Sequence, residues 1–180
     1  MRLRRLQAEL GDRLHIRWKA FPLRPAPDPS VTFKGTYREA AWKRCHAAAE
    51  RDGVAYNLWS RDDYPTWSLP ALEAAKCVAL QGEGAFERLH LRLYEAFFTR
   101  GTNIANPEEV VEVVRESGAE MNRFLADYES GKARELVLKD YEEAVTRDGV
   151  RAIPTIIVNG GKRLVGLVDS EEYRRVVEAS

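Results

Sequence analysis

Apolar residues recur along most of this chain at helical spacing, and at strand spacing only near its two ends. Leu3, Leu6 and Leu10 lie three and four residues apart, which predicts a helix that ends at Gly11. From His15 to Phe21 apolar and polar residues alternate, which predicts a β-strand. The prolines that follow exclude regular structure up to about residue 30.

The middle of the chain is predicted to be helical throughout, with glycine and proline residues near the helix ends. Asn106 and Pro107 are typical of a helix start, because asparagine caps free N–H groups and proline fits the first helical position. The predicted helices cover residues 37–52, 69–81, 85–100, 107–117, 122–128 and 132–148.

Strand patterns return near the C-terminus. Ile153-Pro154-Thr155 opens an apolar, β-branched run, Gly160-Gly161 provides a turn, and residues 163–167 form a returning strand, which together predict a β-hairpin. Asp169 and Glu172 have the spacing of a capping box and predict a final helix that extends to Ala179.

Composition narrows the function classes. A chain of 180 residues fits one domain, or one domain with an inserted subdomain. The 28 basic and 28 acidic residues balance, so no positive charge favours nucleic acid or an anionic membrane. We expect a cytoplasmic protein, because the arginine-rich start is not followed by the apolar segment of a signal peptide or a membrane helix.

The residues that could perform redox or metal chemistry are few and scattered. The three histidines show no metal-site spacing, so no metal is predicted. Cys45 and Cys77 both fall on predicted helices and do not form a Cys-x-x-Cys pair. We interpret both cysteines as small buried apolar residues, the alternative being a lone redox thiol.

Taken together, these residues resemble the DsbA-like branch of the thioredoxin superfamily. The nearest members are the FrnE-like and the 2-hydroxychromene-2-carboxylate isomerase-like proteins. The segments that carry the resemblance are Ile16–Pro25, Leu72–Lys76, Leu93–Phe98 and Gly149–Thr155 with the hairpin after it.

The resemblance implies an α/β fold, thioredoxin-like with an all-helical insertion. Residues 1–36 and 149–180 would form the two parts of the thioredoxin-like core, and residues 37–148 the insertion with its connecting helices. Family members begin with a central strand that ends in Cys-x-x-Cys, and here that first core strand and the motif are missing. Either the true start lies upstream of Met1, which we favour because the remaining pattern is intact, or a natural protein has lost the motif.

The resemblance also implies a substrate-binding site at Ile153, Pro154 and Thr155. A cis proline there would present the backbone of the preceding residue to a substrate, whereas an ordinary trans proline at a strand start is the alternative. Trp67 is a further candidate binding residue that would line a cleft together with Trp59 and Tyr64, unless these rings only pack together. No catalytic residue is predicted in this chain.

The function implied is that of a DsbA/FrnE-like thiol-disulfide oxidoreductase that is inactive as this chain, because the attacking cysteine is absent. Its partner would be a thiol- or disulfide-containing peptide or small molecule, and no cofactor is required. One alternative is a glutathione-dependent isomerase or transferase of the same fold, and another is a non-catalytic binding or chaperone-like module. A missing central strand leaves backbone groups unpaired, which predicts a homodimer or strand exchange.

Overall fold

The computed structural model describes residues 1–179, which form eight α-helices and one β-hairpin. The helices are α1 (Arg2–Leu10), α2 (Tyr37–Arg51), α3 (Leu69–Ala79), α4 (Glu83–Glu95), α5 (Pro107–Glu116), α6 (Met121–Glu129), α7 (Lys132–Glu142) and α8 (Ser170–Glu178), and the strands are β1 (Thr155–Val158) and β2 (Lys162–Val165). In the described part of the chain, no helix is long and apolar enough to span a membrane.

The chain divides into two compact units. The smaller unit contains Met1–Phe21 together with the chain from Tyr141 onward, and the larger one contains Pro22–Asp140. The predicted bounds of the helical insertion and its connecting helices, residues 37–148, stay a prediction.

In the smaller unit, the hairpin is covered by two helices. Strands β1 and β2 are antiparallel, and Thr155 lies opposite Val165 while Val158 lies opposite Lys162. Side chains from α1, β2 and α8 form the buried cluster, with Ile156 and Val158 packed against it: Leu6, Leu10, Leu164, Tyr173 and Val176.

The turn of the hairpin follows from its sequence. Asn159 and Gly160 both have positive φ angles, of 47° and 72°, which asparagine and glycine adopt most readily. The amide of Gly161 donates to the carbonyl of Val158 over 2.9 Å and closes the turn. The predicted hairpin is therefore confirmed, with its second strand at residues 162–165 rather than 163–167.

The predicted strand from His15 to Phe21 is wrong. Among the described residues the sheet contains only β1 and β2, and residues 15–21 belong to neither helix nor sheet. Alternation indicates which side chains are buried, but a strand also needs a neighbouring strand for its backbone hydrogen bonds. Side chains hold this segment instead: Lys19 binds Glu143 over 3.1 Å, and the ring centroids of Phe21 and Tyr141 are 5.0 Å apart.

Helix α8 begins where it was predicted, but without the predicted capping hydrogen bond. Asp169 is the residue before the helix, but its side chain makes no capping hydrogen bond. Instead, Arg2 Nη1 donates to Asp169 Oδ1 over 3.3 Å and to the carbonyl of Val168 over 2.7 Å. The capping-box spacing thus marks the helix start correctly, while the carboxylate connects α8 to α1.

The larger unit is built around α3. This helix packs against α4, α5 and α6, and its residues Ala74, Cys77 and Val78 are fully buried. The buried cluster around it contains Ala71, Ala74, Cys77, Val78, Leu89, Leu93, Ala96, Val110, Val113, Val114, Phe124 and Ala133.

Two ion pairs connect α3 to α7. Glu73 is 5% exposed, and its carboxylate accepts from Arg134 Nε over 2.7 Å. In the second pair the carboxylate belongs to α7: Lys76 of α3 donates to Asp140, which is 6% exposed. Each buried carboxylate has a cation as its partner, which avoids the large cost of an isolated buried charge.

Two helices end in wider turns than an α-helix has. Helix α4 continues as a π-helical segment over Ala96–Arg100, and α7 does so over Glu143–Arg147. The predicted helices at 85–100 and 132–148 are therefore confirmed, with ends at Arg100 and Arg147, although the last turns of both are not α-helical.

Replacing the buried leucine of α4 tests how much the packing around α3 stabilises the larger unit. Leu89 is fully buried, so Leu89→Ala should lower the free energy of unfolding by about 2–5 kcal/mol. Leu91 lies on the same helix and is 39% exposed, so Leu91→Ala should cost less than about 1 kcal/mol. Chemical denaturation followed by circular dichroism measures both, and equal losses would contradict the assignment of the core.

Candidate functional site

Ile153, Pro154 and Thr155 lie together in a loop that leads into β1. The loop is anchored at Val150, which is 9% exposed and donates its amide to the carbonyl of Ala144 over 2.8 Å. The chain then becomes exposed, and Ile153 keeps 42% of its surface. At the far end, Thr155 Oγ1 donates to the carbonyl of Ala152 over 2.6 Å and fixes the turn into the strand.

The peptide bond between Ile153 and Pro154 is cis, as the resemblance implied. The carbonyl of Pro154 accepts from the amide of Gly166 over 2.8 Å, so the backbone groups of Pro154 face β2. Because successive residues of an antiparallel strand direct their backbone groups to opposite edges, those of Thr155 and Ile157 face away from β2. The loop therefore leads into a strand with one free edge.

Exposed apolar side chains accompany this loop. Val165 lies opposite Thr155 in the hairpin and is 57% exposed, and Leu167 just beyond it is 66% exposed. Neither residue was predicted from the sequence. The available signal was the pair Leu164-Val165, because only one of two successive strand residues can face the core, and Leu164 is the buried one.

Trp67, the other predicted binding residue, lies in the larger unit, whereas Ile153–Thr155 lie in the smaller one. The ring of Trp67 is half-buried, and its Nε1 donates to the carbonyl of Ala105 over 2.9 Å. Its N–H is thus already occupied, and only the ring surface is left for a ligand. A role for Trp67 in binding stays a prediction.

Salt bridges and a hydrogen bond fix the segment between α2 and α3 that precedes Trp67, which we call the connector. Arg61 forms a salt bridge with Asp63 on the same connector and another, of 2.7 Å, with Glu109 in the first turn of α5. Hydrogen bonding to Arg61 lowers the pKa of both carboxyl groups. Asn103 adds a hydrogen bond from its side-chain amide to the carbonyl of Asp63 over 2.8 Å, so that the connector is tied to α5 and the loop before it.

Trp59 and Tyr64 belong to a packed aromatic cluster and do not line an open cleft. Trp59 is 4% exposed and Trp42 is 5% exposed. The ring centroids of the consecutive residues Phe97 and Phe98 lie 5.1 Å and 5.4 Å from that of Trp42. Both phenylalanines lie in the π-helical end of α4, so two neighbouring rings of one helix contact the same indole.

The two cysteines have opposite surroundings. Cys77 is fully buried, and burial, followed by the nearby charges of Asp127 and Glu73, raises the pKa of its thiol to about 12. Cys45 is exposed, whereas Trp42 and Ala48 on the same helix are buried. The expectation of a buried thiol is thus confirmed for Cys77 and wrong for Cys45.

Cys45 lies near Tyr56 of the aromatic cluster. Burial of Tyr56, followed by the nearby thiol of Cys45, raises the pKa of the Tyr56 hydroxyl. The neighbouring His46 contacts the carbonyl of Tyr56 through Nδ1. Within residues 1–179, no three His, Cys, Asp or Glu side chains are grouped closely enough to hold a metal ion.

Comparison with known proteins gives the same assignment over the whole chain. A family model described as the DSBA-like thioredoxin domain matches residues 1–178. The uncharacterised protein YwbO of Bacillus subtilis (strain 168) is 21% identical over 173 residues, which cover 95% of this chain and 84% of that protein.

A solved structure has the same fold. The crystal structure of a candidate protein disulfide isomerase from Nitrosomonas europaea superposes with a TM-score of 0.78 at 14% sequence identity. The match covers 99% of this chain and 87% of the other. The thioredoxin-like α/β fold with a helical insertion is therefore confirmed.

The difference between the cysteines predicts their reactivity. At pH 8 only Cys45 of the folded protein should react with a thiol reagent such as DTNB, because Cys77 is buried and its thiolate is suppressed. Denaturant should release the second thiol, and Cys45→Ser should abolish the reaction of the folded protein. Comparable rates for both thiols before unfolding would contradict the packing of α3.

Proposed function

This chain belongs to the family of DSBA-like thioredoxin domains, and from that membership we propose that it forms the substrate-binding part of a FrnE-like thiol-disulfide oxidoreductase. The observation that carries the proposal is the exposed loop Ile153–Thr155, which leads into a strand with a free edge. In the family that the chain resembles, this is the loop that pairs with the substrate backbone.

The substrate that we propose is an extended polypeptide with apolar side chains. Ile153, Val165 and Leu167 expose apolar surface at and beyond the loop, which a peptide side chain can cover. Glutathione carries two carboxylates and has little apolar surface with which to cover these three side chains. Its role as a cofactor is therefore the less favoured alternative.

We further propose that residues 1–180 bind such a substrate without exchanging disulfides. Exchange requires a thiolate that attacks a disulfide sulfur, and an adjacent thiol that releases the mixed disulfide. The two cysteines are 32 positions apart, and one of them is buried within α3. A single exposed thiol at Cys45 has no such neighbour in the sequence.

Insulin reduction tests the absence of exchange. With dithiothreitol as the electron donor, the chain should not shorten the lag before insulin precipitates, relative to buffer alone. The variant that combines Cys45→Ser and Cys77→Ala is the matched control and should give the same lag. A shorter lag with the natural chain than with this variant would show turnover and reject the proposal.

Truncation of Ile153 tests the binding role of the loop. Ile153→Ala should weaken binding of a fluorescent peptide with alternating valine and serine by about 3- to 10-fold, because apolar contact area is lost. Fluorescence anisotropy measures the affinity, and an unchanged melting temperature shows that folding is intact. Leu23→Ala, at a residue 62% exposed in the other unit, is the control and should bind like the natural chain.

Two outcomes would count against this site. Equal peptide affinity of Ile153→Ala and the natural chain would exclude the loop as the binding surface. Binding of glutathione that excludes the peptide would favour the glutathione-dependent alternative.

A further inference from the structure

The edge of β1 that faces away from β2 presents backbone N–H and C=O groups from every second residue. Pro154, Ile156 and Val158 direct their groups toward β2, so the N–H and C=O of Thr155 and Ile157 face the other edge. Within residues 1–179, no other strand of the sheet lies on that edge.

The edge also lacks charge, proline and bulges, three of the features that usually prevent strands from pairing. Thr155–Val158 contains no charged residue and no proline, and all four of its residues are of β-branched types that favour strands. No bulge interrupts its register with β2.

We propose that a second copy of this chain pairs with the free edge of β1, antiparallel and around a twofold axis at Ile156. In this register Thr155 lies opposite the partner's Ile157, and Ile157 lies opposite the partner's Thr155. Each N–H then meets a C=O of the other copy, and the two hydrogen-bonded pairs flank the pair of Ile156 with the partner's Ile156.

A second copy fits this edge because the edge is complementary to itself. The hydrogen-bonding residues lie symmetrically on either side of Ile156, so the same strand rotated by half a turn presents matching donors and acceptors. Neither copy of β1 carries a charged residue, so no like charges face each other across the twofold axis.

The packing of the smaller unit agrees with this arrangement. The axis is perpendicular to the sheet, so each copy keeps α1 and α8 on the same face. Ile156, which packs against the cluster of Leu6, Leu10 and Tyr173, then lies beside the partner's Ile156, and Val158 lies opposite the partner's Pro154. The result is one four-stranded sheet in the order β2, β1, β1, β2.

This pairing does not rest on the proposed function, although the second copy and an extended substrate would compete for the same edge of β1. It involves Thr155–Val158 and not the side chain of Ile153, and it requires no thiol chemistry. Because it involves only a few residues of each copy, we expect a weak dimer that forms with increasing protein concentration.

A disulfide at the axis gives a position-specific test. Cα atoms of a non-hydrogen-bonded antiparallel pair are about 4.5 Å apart, which a disulfide can bridge. In a Cys45→Ser background, Ile156→Cys should therefore give a disulfide-linked dimer with the oxidant diamide. Val165→Cys in the same background is the control, because Val165 lies on β2 and is more exposed but far from the axis. Equal or faster cross-linking of the Val165→Cys variant would overturn the proposal.

Sedimentation equilibrium of the natural chain provides a test that needs no cysteine variant. The dimer should accumulate between micromolar and millimolar concentration, and Ile157→Lys should lower the association constant at least about tenfold, because it places two charges at the new junction. Ile157→Val keeps a β-branched side chain and should leave the constant within about twofold. A monomer at millimolar concentration, or an unchanged constant for Ile157→Lys, would overturn the proposal. Loss of peptide binding in Ile153→Ala with unchanged association separates the two proposals.

Discussion

Packing around α3 is the interaction on which the larger unit depends. The small residues Ala71, Ala74 and Cys77 allow α4, α5 and α6 to approach α3 closely, and this leaves Glu73 in the interior, where Arg134 must neutralise it. The start of α3 is fixed as well, because Ser68 exchanges two hydrogen bonds with the backbone of Arg24. Burial of the helix thus sets the position of Trp67, the residue just before Ser68.

The elements that could be predicted from the sequence are those determined by interactions between residues close together along the chain. Helix periodicity and the cap at Asn106 locate α5, and the β-branched run before Asn159-Gly160 locates the hairpin. The segment from His15 to Phe21 shows the limit of this reasoning. Its alternation describes burial, but pairing with another strand is a tertiary property that a local pattern does not contain.

The candidate site was predictable in part, through resemblance more than through chemistry. Ile153, Pro154 and Thr155 were found in this way, whereas the exposure of Val165 depends on a strand register that only the folded turn determines. The sequence gives no reason to expect that only one of the rings of Trp59 and Trp67 is enclosed. Tertiary packing separates them, because one ring is enclosed by other aromatic rings and the other binds the backbone of a neighbouring loop.

The wide turn at the end of α4 has a consequence for how relatives of this chain should be aligned. A π-helical turn holds one residue more than an α-helical turn, so α4 can absorb a one-residue insertion there without rotating the α-helical part that precedes it. Homologues that lack the extra residue are expected to show a single-residue gap near Phe97 or Phe98, with the rest of the helix in register. In those homologues the indole equivalent to Trp42 would contact one phenyl ring instead of two.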